Sequence, residues 1–225
     1  MADAEALNTG GSAANTSLHA AKRAKNDEFY TQLTDIEKEL RHYKHHFRGK
    51  VVLCNCDDPE WSNFWKYFTL NFEHLGLAKV MATHYAQGEP SYMLEYFGVS
   101  RPSVKTPLVG DGDFRSDECV ELLKQSDIVV TNPPFSLFRE YVAQLVEFDK
   151  QLLIIGNNNA LTYKEVFSLI KENTLWMGVS PRSMKFKTPD GRLKDVNACW
   201  YTNLSHSRRN EELILFKTYA GNEHC

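Results

Sequence analysis

One stretch constrains the fold of this chain more than any other: Asp127-Ile-Val-Val-Thr-Asn-Pro-Pro-Phe135. Asp127 to Thr131 is rich in β-branched residues without polar alternation, which predicts a short parallel strand that is covered on both faces. The two prolines cannot donate hydrogen bonds to a neighbouring strand, so the strand ends at Asn132. Phe138, Tyr141, Val142, Leu145 and Val146 then recur at helical spacing. The stretch therefore predicts a strand, a tight turn and a helix, and ligands of open α/β sheets bind at such carboxyl strand ends.

The turn itself suggests a chemistry. Asn132 offers an amide oxygen, and Pro133 has a carbonyl group but no N–H. Held rigidly by Pro134, these two acceptors suit the two hydrogens of a planar NH2 group, and Phe135 offers a ring on which a planar base can stack. Such a grip would catalyse a reaction by positioning the nitrogen. The alternative is a tight strand-to-helix turn with a buried phenylalanine.

Three motifs carry a resemblance to a known family. Lys25-Asn-Asp-Glu-Phe-Tyr-Thr31, Val51-Val-Leu-Cys-Asn-Cys-Asp-Asp-Pro59 and Thr131-Asn-Pro-Pro-Phe-Ser136, in this order, resemble the EcoRI-type adenine-specific DNA methyltransferases over about residues 22–215. The resemblance implies S-adenosyl-L-methionine as cofactor and a Rossmann-like class I methyltransferase fold. It also implies that Asn132, Pro133, Pro134 and Phe135 are the catalytic residues and that the substrate is a flipped adenine in DNA.

Size and composition agree with a single α/β domain. The chain has 225 residues, 42% of them hydrophobic and 24% charged, with a net charge of −3. This charge gives no overall attraction to nucleic acid, so DNA binding requires local basic patches. Five cysteines without a framework spacing predict reduced thiols and a cytoplasmic protein, or a nuclear one in a eukaryote. No metal site is expected, and no apolar run reaches the roughly 20 residues of a membrane span.

The N-terminal part divides into a tail and a first helix. Residues 1–21 contain almost no large apolar side chains and predict a disordered tail, and residues 22–225 form the methyltransferase domain. The resemblance assigns Asn26, Phe29, Tyr30 and Thr31 to the methionine end of the cofactor. Thr34 and Glu37 predict a capping box for the following helix, whose apolar face comprises Leu33, Ile36, Leu40, Tyr43 and Phe47.

The first strand is predicted over 51–55, and a helix begins after it. Asp58 before Pro59 fits an N-cap, and the helix has a strongly apolar face from Trp61 to Leu75. The glycine-rich turn of most nucleotide-binding folds is absent. Asp57 is a candidate for the cofactor's ammonium group, and Asp58 is a candidate for either capping or cofactor contact.

The second strand, predicted over 77–83, lacks a usual feature. Its end normally carries an acid for the ribose hydroxyls, but Thr83-His84-Tyr85 stands there. Residues 86–104 are expected to form an excursion above the sheet, and residues 105–109 to form a third strand. The resemblance assigns recognition of the cofactor's adenine to Asp113 and Phe114, whereas the residues alone are equally typical of an acidic turn.

The C-terminal part contains the densest basic segment. Lys185, Phe186 and Lys187 suggest backbone contacts beside a base-stacking ring, and the alternative is an edge hairpin with solvated lysines. Strands predicted over 196–201 and 213–218 would form an antiparallel edge pair on a doubly wound, mostly parallel sheet.

The chain ends soon after its last predicted strand, so we expect the target-recognition part to be reduced or absent, or to be supplied by a second copy or a partner subunit. Two other functions stay open at this stage. One is an amino-methyltransferase that acts on RNA or protein glutamine, and the other is a non-catalytic methyltransferase-fold binding module.

Overall fold

The computed structural model describes residues 30–56, 58–86, 91–180, 184–188 and 191–211, with only the backbone of Tyr30. The predicted tail, Asn26, Phe29, Asp57 and the strand expected over 213–218 lie outside the described residues.

The described residues form α-helices, short 3-10 turns and β-strands. The strands are β1 (Tyr30–Thr31), β2 (Val51–Cys54), β3 (Lys79–Thr83), β4 (Tyr92–Tyr96), β5 (Val104–Pro107), β6 (Ile128–Thr131), β7 (Gln151–Asn157), β8 (Trp176–Met177), β9 (Met184–Lys187), β10 (Leu193–Val196) and β11 (Ala198–Thr202). The α-helices are α1 (Leu33–Leu40), α2 (Asn63–Leu70), α3 (Phe72–Leu75), α4 (Asp117–Gln125), α5 (Phe138–Glu147) and α6 (Lys164–Lys171). The 3-10 turns are Lys44–His46, Phe135–Leu137, Asn158–Thr162 and Ser207–Asn210.

An eight-stranded sheet organises the fold in the order β5-β4-β3-β2-β6-β7-β11-β8. The four central strands β3, β2, β6 and β7 are parallel. Antiparallel pairs flank them on both sides, β4 and β5 at one edge and β11 and β8 at the other. The strand that carries the Asn-Pro-Pro-Phe motif is thus a central strand, bonded to β2 on one side and to β7 on the other.

Two hydrophobic cores lie on the two faces of this sheet. Val52 and Val130 belong to one core, whereas their neighbours Leu53 and Val129 belong to the other, because successive side chains of a strand point to opposite faces. Residues of α1 and α2 pack in the first core and residues of α5 pack in the second. The doubly wound Rossmann-like fold is thereby confirmed.

A second, three-stranded sheet has the order β1-β9-β10 and is antiparallel throughout. Thr31 of β1 lies opposite Phe186 of β9. This pairing joins the segment before the first helix to the hairpin of β9 and β10, called the basic hairpin below.

Several predicted boundaries were wrong. The first helix starts at Leu33 behind Gln32, so Thr34 is not its N-cap. The helix after β2 starts at Asn63, where Ser62 Oγ accepts a hydrogen bond from the Phe64 N–H. Trp61 precedes that helix and is 67% exposed, which contradicts its predicted place on the apolar face.

The prediction of an excursion above the sheet over residues 86–104 was also wrong in part. It contains β4, and β5 follows it, so an antiparallel hairpin extends the sheet beyond β3. At the opposite edge, β11 pairs with β7 and with β8, which is formed by residues 176–177. No helix among the described residues is long and apolar enough to cross a membrane.

Candidate active site

The Asn-Pro-Pro-Phe turn lies at the carboxyl end of β6, as the sequence predicts. Asn132 is only 7% exposed, Pro133 is buried, and Phe135 is partly buried against the first core. The turn continues through the 3-10 turn Phe135–Leu137 into α5. The two acceptors, the Asn132 side chain and the Pro133 carbonyl, therefore follow a central strand. They lie at the carboxyl ends of the parallel strands, where α/β folds bind ligands.

Hydrogen bonds tie the end of β6 to the end of β2. The Thr131 hydroxyl donates to the backbone carbonyl of Asn55, and the Tyr141 hydroxyl donates to the Asn55 side-chain oxygen. Tyr141 lies in α5 and is fully buried, and this burial raises its pKa well above the usual value. The phenol therefore stays protonated and keeps its role as a donor that fixes Asn55.

The residue after Asn55 was missed by the sequence analysis. Cys56 adopts a left-handed backbone conformation with φ of 75°, a region that costs a non-glycine residue about 1–2 kcal/mol. Glycine-rich turns of nucleotide-binding folds have their glycines at this place after the first strand. The tight turn is therefore present without its usual residue, and no residue type in the sequence signals it.

Asp58 does not cap a helix. Its Oδ1 accepts hydrogen bonds from the Glu60 N–H at 3.0 Å and from the Tyr92 hydroxyl at 2.7 Å. Its Oδ2 lies 3.6 Å from Nε2 of His84. The carboxylate is thus held against the ends of β3 and β4.

The predicted adenine-reading pair occupies the loop before α4. Both carboxylate oxygens of Asp113 accept hydrogen bonds from the Arg115 guanidinium, at 2.6 and 2.9 Å, and these bonds hold the pKa of Asp113 below its usual value. The ring of Phe114 is buried, with its centroid 5.0 Å from that of Tyr141 in an edge-on arrangement. Tyr141 therefore contacts both Phe114 and Asn55 at the end of β2. Because Arg115 binds both oxygens of Asp113 and the Phe114 ring is packed in the core, recognition of adenine by this pair stays a prediction.

Two buried threonine hydroxyls lie at the ends of β1 and β3. Thr31 and Thr83 are buried, and neither Oγ1 has a hydrogen-bond partner among the described residues. The backbone of Thr31 is fixed by β9 and by the Asn63 side-chain amide, which donates to its carbonyl at 2.7 Å. Buried polar atoms normally have partners, so each hydroxyl is a candidate ligand contact.

The predicted role of Phe186 in the basic hairpin was wrong. Phe186, predicted to stack on a base, is 0% exposed and packs in the first core. Lys185 and Lys187 alternate with it and are exposed. The hairpin can therefore contact a nucleic-acid backbone through its lysines, but Phe186 has no free ring face to offer a base.

Comparison with known proteins agrees with this geometry. The family described as adenine-specific methyltransferase EcoRI matches residues 17–225. The chain belongs to this family. It is 45% identical to the type II methyltransferase M.EcoRI of Escherichia coli over 94% of this chain and 75% of that protein. It is also 43% identical to M.MpnI of Mycoplasma pneumoniae, over 92% of this chain and 70% of that protein.

This EcoRI-family member is therefore an adenine-specific DNA-methylating enzyme of the type II, restriction–modification class.

Proposed function

We propose that this enzyme transfers a methyl group from S-adenosyl-L-methionine to the N6 amino group of an adenine in DNA. The observation that carries the proposal is the position of Asn132-Pro133-Pro134-Phe135 at the carboxyl end of a central parallel strand. The Asn132 side-chain oxygen and the Pro133 carbonyl accept the two N6 hydrogens, so that the nitrogen lone pair faces away from the turn. Phe135 stacks on the base.

The burial of Asn132 supports a flipped base. With only 7% of this residue exposed, an adenine that stays stacked and paired in a duplex cannot bring its N6 group to the amide. Enzymes that modify bases in duplex DNA rotate the target nucleotide out of the helix for this reason.

One described residue, Thr31, has a side chain that suits the cofactor. The Thr31 hydroxyl, which is buried and has no hydrogen-bond partner among the described residues, suits a carboxylate or another polar group of the methionine end, for which Asn26, Phe29 and Tyr30 are the other proposed contacts. Asp57 would hold the ammonium group. When bound, S-adenosyl-L-methionine supplies a methyl group on a sulfonium, which is electrophilic enough to need no further activation. The protein's part is to hold the amine in place.

The exposed lysines of the hairpin support a DNA substrate. Lys185 and Lys187 point out of the small sheet, where ammonium groups can contact phosphates without reading the base sequence. The net charge of the chain is −3, so a local cationic surface of this kind is the means by which it would approach DNA.

Replacement of the amide tests the proposal. Asn132→Ala should lower the rate of N6-methyladenine formation by at least about 100-fold, because misplacement of a reacting group alone has that effect. Its affinity for S-adenosyl-L-methionine should stay within about twofold of wild type, since the amide contacts the substrate. Mass analysis of DNA nucleosides measures the first quantity and calorimetry the second.

The matched control is Asn210→Ala, which removes an exposed amide from a 3-10 turn and should leave both quantities unchanged. Cofactor affinity that disappears together with methyl transfer would show that Asn132 has been misassigned, and normal methylation by Asn132→Ala would remove the proposal.

A further inference from the structure

A carboxylate from one loop lies at the end of the neighbouring strand. Asp58 follows β2 in the chain, yet its side chain contacts His84, the residue after β3, and Tyr92, the first residue of β4. The side chain is 22% exposed. An acid that the sequence lacks at the end of β3 is thus present there in space.

The hydrogen bonds of Asp58 leave one oxygen available. Oδ1 accepts two hydrogen bonds, from Glu60 N–H and from Tyr92, whereas the one hydrogen-bond or ion-pair partner of Oδ2 among the described residues is His84, at 3.6 Å. Burial and the bond to Asp58 raise the pKa of Tyr92, so its hydroxyl stays protonated as a donor. The network fixes the carboxylate, and no hydrogen bond from a described residue occupies Oδ2, so this oxygen can accept from a ligand.

The fold determines what such an oxygen would meet. Nucleotides in doubly wound sheets lie across the carboxyl ends of the parallel strands, and an acid after the second of these strands accepts from the ribose hydroxyls. We propose that Asp58 is the ribose-binding acid of this enzyme, delivered from the loop after β2 to the end of β3, with Tyr92 and His84 as positioning residues. This inference rests on the proposed use of S-adenosyl-L-methionine and assigns its ribose to one carboxylate.

Three other carboxylates among the described residues lie around this strand end, and each has at least one hydrogen-bond or ion-pair partner. The Asp111 carbonyl accepts from Ala86 N–H at 2.8 Å, which brings that loop close, but Asp111 Oδ1 accepts from the backbone N–H of Asp113 at 3.1 Å. Asp113 is held by Arg115 through both oxygens. Glu60 pairs with Lys105 at 3.0 Å on the surface.

Calorimetry with ribose analogues tests the assignment. The probes are S-adenosylhomocysteine and its 2′-deoxy and 3′-deoxy forms. Wild type should bind at least one deoxy form roughly 10- to 100-fold more weakly, the range expected for a hydrogen bond to a charged group. Asp58→Asn should weaken binding of the parent compound by a similar factor and should lose most of the discrimination between parent and deoxy forms.

Two further variants separate a direct contact from a change in folding. Glu60→Gln removes a nearby exposed acid and should keep both affinity and discrimination. Tyr92→Phe frees Asp58 without removing it and should reduce discrimination less than Asp58→Asn. Thermal melting of each variant verifies that it is folded, and where Asp58→Asn is not folded, Tyr92→Phe decides the question.

Three results would overturn the inference. Discrimination as large as that of wild type in Asp58→Asn, or in Tyr92→Phe when that variant decides, means that another group binds the ribose, while the proposed methyl transfer stands. Equal binding of all three probes by wild type has the same meaning. A wild-type enzyme that binds none of the probes, and not S-adenosyl-L-methionine either, would overturn both this inference and the proposed function.

Discussion

Replacement of Glu39 tests how the fold fixes the backbone of Val179 and Ser180, which precedes β9. This glutamate of α1 is completely buried. Its Oε1 accepts from the Tyr43 hydroxyl at 2.7 Å and from the Val179 N–H at 2.8 Å, and its Oε2 accepts from the Ser180 N–H at 2.7 Å. The carboxylate thereby fixes the backbone that leads into β9.

The expected cost of Glu39→Gln follows from these contacts. The glutamine oxygen can keep the two bonds of Oε1, but its NH2 group then faces the Ser180 N–H, so one charge-assisted bond is replaced by two opposed donors. A hydrogen bond to a charged group contributes about 1.5–3 kcal/mol, and we expect the free energy of unfolding to fall by about 2–3 kcal/mol. This is a large share of the roughly 5–15 kcal/mol that stabilises a typical domain.

Urea unfolding measures this change, with an unaltered slope as evidence that the transition is the same. Glu37→Gln is the matched control, because Glu37 lies on the same helix and is exposed, and its effect should stay within about 0.5 kcal/mol. If Glu39→Gln proved as mild as this control, the three hydrogen bonds would not hold the segment.

Two further predictions concern the candidate site. Cys56→Gly should be more stable than Cys56→Ala by about 1 kcal/mol, because both lose the thiol but only glycine relaxes at φ of 75°; equal melting temperatures would contradict the left-handed turn. Asp113→Asn should destabilise the protein at pH 7. Because the folded pKa of Asp113 is lowered by Arg115, its contribution is present above the unfolded pKa of about 3.9 and is lost as pH falls through the folded pKa. The difference in melting temperature between wild type and variant should therefore shrink toward pH 3, and a constant difference would refute the ion pair.

The central part of the fold could be predicted because its sequence signals are local. β6, the turn after it and α5 follow from a buried β-branched run, two prolines and a helical period, and the structure has them at the predicted places. Residues 86–104 could not be assigned in the same way, and β4 was missed. β5 was predicted over 105–109 and lies at Val104–Pro107, but it is exposed at all four positions, so no apolar alternation indicated its antiparallel place at the edge of the sheet.

Phe186 shows a signal that was present but was given too little weight. Met184 and Phe186 alternate with two lysines, and the structure buries the first pair and exposes the second, as a period of two requires. The contact of Asp58 with His84, in contrast, depends on the parallel pairing of β2 and β3. No spacing along the chain encodes that contact.

The pairing of β1 with β9 has a thermodynamic consequence. Tyr30 and Thr31, expected beside the cofactor, share backbone hydrogen bonds with the strand that displays Lys185 and Lys187. A ligand that orders one strand restricts the other, and linkage requires the effect to be reciprocal. DNA and cofactor would then each tighten the binding of the other by the same factor, although they touch different strands.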